Sequence, residues 1–306
     1  LVIIDEQHKF GVAQRAKLWS KKREFYPHVL VMTATPIPRT LALTLYGDLD
    51  VSVIDELPSG RKEIITSHRF DNSRLKVFNF IKKTIDFGGQ VYVVYPLIEE
   101  SAKKDHKDLM DGYKSLTKYF PETQIGVLHG RMKSENKEYE MKRFAEGKSK
   151  ILVSTTVIEV GVDVANASVI IIESAERFGL SQLHQLRGRV GRGSAQSYCI
   201  LMTKYDLSND SKERIKAMVG SSDGFKIANV DLKMRGPGNM MGTKQSGLLE
   251  LRFVNLAEDY NIIKQTRVEA SKLIENDPNL SDKKNKGTKE YLKKSIKSNI
   301  NWSRVS

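Results

Sequence analysis

The chain has 306 residues, 40% of them hydrophobic, and carries 50 Lys and Arg against 37 Asp and Glu, a formal charge of +13. Its single cysteine, Cys199, excludes an intrachain disulfide and a Cys-rich zinc site, and apolar runs such as Val169-Ile170-Ile171-Ile172 fall far short of the roughly 20 residues that cross a bilayer. The length permits a sizeable core and more than one domain, the basic excess favours a polyanionic partner, nucleic acid before a membrane, and the cytoplasm is the expected compartment.

The chain opens at Leu1 inside an apolar run with no initiator Met, so it reads as a piece of a longer protein. Leu1 to Ile4 has the pattern of a buried parallel strand that delivers Asp5, Glu6 and His8 at its carboxyl end. His28 to Met32 is a second such strand, running into Thr33-Ala34-Thr35-Pro36-Ile37-Pro38, where the prolines stop it. The turn residues of Leu57-Pro58-Ser59-Gly60-Arg61 place a domain boundary there. Beyond it, strands at 91–95, 125–128, 151–153, 169–172 and 198–202 alternate with helical stretches, the pattern of a doubly wound α/β domain. Ser134 is the expected N-cap of a helix with Met141, Phe144 and Ala145 at helical spacing, ended by Gly147. The charged stretch from Ser101 to Lys118 reads as a solvated helical excursion. After Asp206 the strands stop. Asp223 caps a helix carrying Phe225, Ala228 and Leu232, terminated at Arg235-Gly236-Pro237-Gly238, and residues 264–306 read as a helix with a mobile basic tail.

Several constellations carry chemistry, each with a bland alternative. Asp5 and Glu6 past a buried strand can hold Mg²⁺ through water and orient an attacking water, or be an ordinary surface pair. His8 can link that strand end to Thr33 and Thr35, or be a core or surface histidine. Gly130 and Arg131 end a strand where a backbone phosphate can sit, or make a surface turn. In Thr155-Thr156-Val157-Ile158-Glu159-Val160-Gly161-Val162-Asp163, hydroxyls and amides can hold a nucleic-acid phosphate and Asp163 a ribose hydroxyl, or the run is plain structure. In Gln185-Leu186-Arg187-Gly188-Arg189-Val190-Gly191-Arg192, Gly188 and Gly191 let the backbone turn closely and set Arg189 and Arg192 three residues apart, an arrangement suited to a polyphosphate or to any basic surface.

In order and spacing, DEQH, TAT, HGR, TTVIEVGVD and QLRGRVGR resemble motifs II, III, IVa, V and VI of superfamily 2 helicases and translocases. The longer strings LVIIDEQHKFGVAQR, VYVVYPLIEES, VLHGRMK, STTVIEVGVDVANAS, LHQLRGRVGRG and DGFKIANVDLKMRGPGNMMGTKQSG are similar to the RecG family of ATP-dependent DNA helicases, over roughly residues 1–275. The last string matches the region called TRG, shared with the transcription-repair coupling translocase. The resemblance implies a RecA-like doubly wound parallel sheet over 61–205, preceded by a remnant of a first RecA-like domain over 1–60. A TRG helical hairpin over 206–260 and a C-terminal helix and basic tail over 261–306 would follow. It implies ATP and Mg²⁺ as cofactors, branched double-stranded DNA as partner, and a monomer. By resemblance Asp5 and Glu6 serve Mg²⁺ and hydrolysis, and His8, Gly161, Asp163, Gln185, Arg189 and Arg192 address the nucleotide. Gly130, Arg131, Thr155 and Thr156 address DNA, while Thr33, Thr35, Arg235 and Gln245 couple the parts of the motor. Lys9 stands where the family has Arg, and Ser134 where it has Pro at a helix start.

No G-x-x-x-x-G-K-[ST] occurs in the 306 residues, so nothing in them cradles phosphates in the Walker-A manner. The expectation is therefore that these residues alone do not hydrolyse ATP, that residues 1 to about 60 are poorly ordered or mispaired, and that 61–260 fold autonomously. A non-catalytic DNA-binding module and a piece of a transcription-repair coupling translocase are the rival readings.

Overall fold

A computed structural model describes residues 1–6, 28–38, 50–54, 56, 60–96, 102–156, 164–235, 255 and 258–298. The chain divides into two compact units, Val53–Met234 in one, Leu1–Ser52 with Arg235–Ser306 in the other.

Unit Val53–Met234 is built on six strands, β3 (Ile65–Phe70), β4 (Gln90–Val94), β5 (Ile125–Leu128), β6 (Ile151–Ser154), β7 (Ala167–Ile172) and β8 (Tyr198–Thr203), in the order β3-β8-β7-β4-β6-β5. Every pairing is parallel. The central strands carry long apolar runs because both faces are covered. Side-chain alternation along β4 sends Val91 and Val93 to one face and Tyr92 and Val94 to the other. On the first face Val77, Phe78 and Ile81 of α1 (Arg74–Asp86) and Leu109 and Leu116 of α2 (Ala102–Tyr119) close the core. On the second it is closed by Phe144 of α3 (Ser134–Ala145) and by Leu183 and Leu186 of α4 (Leu180–Arg187). Ile215 and Met218 of α5 (Asn209–Gly220) and Ile227 of α6 (Gly224–Arg235) complete it. Gln90 is fully buried at the start of β4, and its Nε2 donates to the carbonyls of Phe144 and Ser149 at 2.6 and 2.8 Å, satisfying the end of α3. Cys199 is buried, and that burial pushes its thiol up to about 12, as befits an inert core residue.

Four local expectations change. The polar strand β3 escapes the apolar-run pattern because Ser67, His68 and Arg69 lie on the sheet's margin, beside a single neighbour. Helix α2 is not wholly solvated, since Leu109 and Leu116, seven residues apart, are buried beneath its charged face. Lys133 is the N-cap of α3, so Ser134 occupies its first turn, a position where Pro is at home and no side-chain cap is needed. The described residues up to Ser298 carry two helices where one is expected, α7 (Tyr260–Asn276) and α8 (Lys286–Ser298), joined by an elbow, and the expected tail beyond Ser298 lies outside the described residues. At the elbow Asp277 accepts from the amides of Ser281 and Asp282 and from Asn285 Nδ2. Asp223 behaves as expected, accepting from the Phe225 and Lys226 amides at the head of α6.

In the other unit, β1 (Val2–Asp5) and β2 (Val29–Met32) pair in parallel, Val2 opposite Val29 through Asp5 opposite Met32. Residues 7–27, 39–49, 55 and 57–59, most of the stretch 1–60, lie outside the described residues. Ile4 is buried, while Leu1, Ile3, Leu30 and Met32 are exposed.

Candidate functional site

Parallel pairing brings the carboxyl ends of β1 and β2 side by side, where open α/β sheets place ligands. Asp5 is exposed at the end of β1. Glu6 follows in the left-handed region at φ 51°, a conformation that a non-glycine residue holds at a cost and that is frequent at functional sites. Thr33 Oγ1 donates to Glu6 Oε2 at 3.4 Å and accepts from the Thr35 amide at 3.1 Å. The acid pair and the threonine turn thus form one local network. Glu6 links the first strand end to the threonine turn; His8, expected to make such a link, and Lys9 lie outside the described residues.

In the larger unit the carboxyl ends of β5 and β6 adjoin, Leu128 opposite Ser154, so the turns that follow share one sheet edge. Gly130 and Arg131 are exposed there, with the Gly130 carbonyl accepting from Lys137 Nζ at 2.9 Å. Thr156 is half-buried, while Thr155 is buried, its amide donating to Leu128 O at 3.2 Å. Gly161, Asp163 and Gln245 lie outside the described residues, as does the side chain of Arg235.

The arginine-rich octet is held from beneath. Leu186 and Val190 are fully buried, and between them the Arg189 amide donates to Leu186 O at 3.0 Å, leaving Gln185, Arg189 and Arg192 half-buried. Gly191 sits at φ 83°, and a Cβ there would stand 3.0 Å from the Ile64 side chain. A Cβ on Gly193 would lie 2.5 Å from the Ala165 carbonyl oxygen. Gly188 has ordinary helical angles and only ordinary contacts, so the close turn expected of Gly188 belongs to Gly193, with Gly191 as foreseen. Burial and the neighbouring Arg61 both lower the Arg192 pKa, and burial pushes the Tyr92 hydroxyl up to about 12 against the pull of Arg189 and Arg192. Arg61, Arg189 and Arg192 together make this corner electropositive.

Arg187 is the residue that sequence reasoning missed. It is 3% exposed, and its guanidinium donates to the carbonyls of Met218, Ser221 and Ser222 at 3.0, 2.7 and 3.1 Å and to Thr66 Oγ1 at 3.3 Å. It closes the end of α5 and ties it to β3, which is work inside the fold rather than at a ligand. His184 Nδ1 lies 3.1 Å from Arg187 Nη2, and burial with that neighbouring charge lowers its pKa to about 4. A second structural contact lies on the opposite face, where Arg74 grips buried Glu173 through both terminal nitrogens at 2.6 and 2.9 Å and reaches Asp71 at 3.0 Å. The apolar-run pattern conceals both arginines, because their partners come from distant segments.

Residues 75–194 match the helicase conserved C-terminal domain, and residues 221–306 match the C-terminal part of RecG domain 3. The ATP-dependent DNA helicase RecG of Synechocystis is 56% identical over 281 residues, 92% of this chain, and that of Bacillus subtilis 48% identical over 90% of it. The chain belongs to the RecG family. It spans 34% and 40% of the length of those two RecG relatives and corresponds to their C-terminal portion. The structure of a RecG bound to a three-way DNA junction matches with a TM-score of 0.67 and 45% identity, over 86% of this chain and 33% of that one. A helicase, MrfA, bound to DNA and AMPPNP matches at 17% identity with a TM-score of 0.51, over 75% of this chain and 36% of that one, a likeness of fold. The larger unit is thus the RecA-like parallel sheet found in the RecG family.

Proposed function

We propose that these residues are the C-terminal part of an ATP-dependent DNA helicase that couples ATP hydrolysis to movement on branched double-stranded DNA. The observation carrying this reading is the arginine corner, where Arg189 and Arg192 stand on a loop pinned by Val190 and shaped by Gly191 and Gly193. Two half-buried guanidiniums at fixed spacing suit the charge that develops on a γ-phosphate during transfer, and Gln185 one turn earlier addresses the same nucleotide. By resemblance His8, Gly161 and Asp163 also address a nucleotide.

Asp5 and Glu6 fit the acid role. Asp5 presents an exposed carboxylate at a strand end, suited to holding Mg²⁺ through water, and Mg²⁺ when bound neutralises phosphate charge. Among the described residues no group of three or more His, Cys, Asp or Glu could hold a metal. Glu6, held by Thr33, orients the attacking water. Gly130, Arg131 and Thr156 line one edge where a DNA backbone can lie, with Thr155 buried beneath it, and a charge of +13 supplies attraction. Arg235 and Gln245 would pass motion to the DNA. No described helix is long and apolar enough to cross a membrane. We place the protein in the cytoplasm, acting as a monomer.

The test uses a chimera in which residues 1–306 replace the matched region of Synechocystis RecG. Arg192→Ala lowers the ATPase kcat on forked DNA by about 10³-fold or more while DNA affinity is unchanged. Turnover near that of the unsubstituted chimera overturns the assignment. The 306 residues alone bind DNA without turnover, and ATPase activity from them would overturn the reading of the absent phosphate loop.

A further inference from the structure

The extended segment 60–65 that leads into β3 is laced to the arginine loop at four points. Arg61 Nε donates to the Gly191 carbonyl at 2.9 Å, the carbonyl immediately before Arg192. Ile64 packs where a Gly191 Cβ would be, 3.0 Å away. Gln196 Nε2 donates to Glu63 O at 2.7 Å, and the Ile65 amide donates to Ser197 O at 3.0 Å. Gly60, at φ 82°, turns the chain into this segment.

Three of these contacts would serve any fold. The Arg61 contact is different in kind, because it places a second cation beside Arg192, where like charges repel and where nothing in strand packing requires one. A neutral donor would satisfy the Gly191 carbonyl as well. Only Nε of Arg61 is engaged among the described residues, and the side chain is exposed, so its terminal nitrogens stay available to an anion. The cost of crowding two guanidiniums is recovered when a polyphosphate arrives between or beside them.

We propose that Arg61 is a positioning residue for Arg192: through the Gly191 carbonyl it sets where the Arg192 guanidinium meets a nucleoside triphosphate. The inference rests on the reading of Arg192 given above. It assigns to the segment entering the sheet a direct hold on the arginine loop, so that the register of 60–65 governs the reach of Arg192. Lys cannot replace Arg61 here, because an ammonium lacks an Nε–H at that point on the side chain and offers no fork.

Arg61→Gln and Arg61→Lys in the RecG chimera each lower the ATPase kcat by about 10- to 100-fold, with little change in KM for ATP and none in DNA affinity. Combined with Arg192→Ala, Arg61→Gln causes no further loss, since a residue acting through Arg192 has nothing left to position. In the 306-residue chain, amide hydrogen exchange at Gly191 and Arg192 quickens by about 5- to 10-fold in Arg61→Gln, the effect of losing one hydrogen bond, while the central strands keep their protection. Wild-type kcat in Arg61→Gln, or full rescue by Arg61→Lys, overturns the proposal. If Arg192→Ala is itself active, the functional reading fails first; if Arg192→Ala is inactive and Arg61→Gln is not, only the role of Arg61 falls.

Discussion

Strands β7 and β1 are both short runs of Val and Ile, yet they live in opposite circumstances. Ile170 and Ile172 of β7 are fully buried between two helical layers, whereas Ile3 of β1 is 58% exposed in a two-stranded sheet with Leu30 across from it. An apolar run states a preference for burial; whether burial happens depends on which other segments arrive. The larger unit supplies helices to both faces of its sheet and places polar side chains only where partners meet them. In the β1–β2 pair the side-chain contact lies at the polar end, where Thr33 holds Glu6.

The contrast can be broken by substitution, beginning with the largest expected effect. Ile170→Ala opens a cavity in a sealed core and lowers unfolding free energy by about 4 kcal/mol, measured by urea denaturation. Arg187→Ala leaves the Met218, Ser221 and Ser222 carbonyls without their donor and costs about 3 kcal/mol, which Lys restores only in part because it lacks the guanidinium fork.

A pH series tests the same corner. The folded His184 pKa of about 4 lies below the ordinary 6.5, so between those values the unfolded chain binds the extra proton. Stability contributed by neutral His184 is fully present above pH 6.5 and is lost as pH falls towards 4, by about 3 kcal/mol in all. His184→Gln, which keeps an acceptor for Arg187, flattens the urea midpoint over that window, and an unchanged slope would show that another group carries it.

The smallest effects belong to the open strands and to the glycine without a steric task. Ile3→Thr and Leu30→Thr change stability by less than about 0.5 kcal/mol. Gly188→Ala, in helical angles where the added methyl makes only ordinary contacts, stabilises by about 0.5 kcal/mol, while Gly193→Ala, facing the Ala165 carbonyl, destabilises by about 2 kcal/mol or more. Similar losses at Ile3 and Ile170 would mean that the β1–β2 face is covered in solution.

Much of the candidate site is legible in the sequence. The acid pair at a strand end, the threonine turn beside it and the arginine octet were readable because short-range chemistry and order along the chain identify them. Burial was less so. Thr155 and Thr156 are equivalent as letters, but β6 ends so that the first is sealed in and the second is half-open. The octet contains three arginines that spacing cannot rank, and only the meeting of α4 with the end of α5 turns Arg187 inward. Helix α2 looked solvated because lysines and aspartates outnumber the two leucines that anchor it.

By itself the sequence determined the alternation of apolar strands and helices, the order of the motifs, the family, and the cap of α6 at Asp223, since each depends on neighbours within a few residues or on a linear pattern. Tertiary structure alone decided the strand order β3-β8-β7-β4-β6-β5, the inclusion of polar β3 at its margin, the inward turn of Arg187 and the hold of Arg61 on Gly191. The physical reason is distance along the chain. Arg61 and Gly191 stand 130 residues apart, and a hydrogen bond between a cation and a carbonyl leaves no periodicity for a sequence to display.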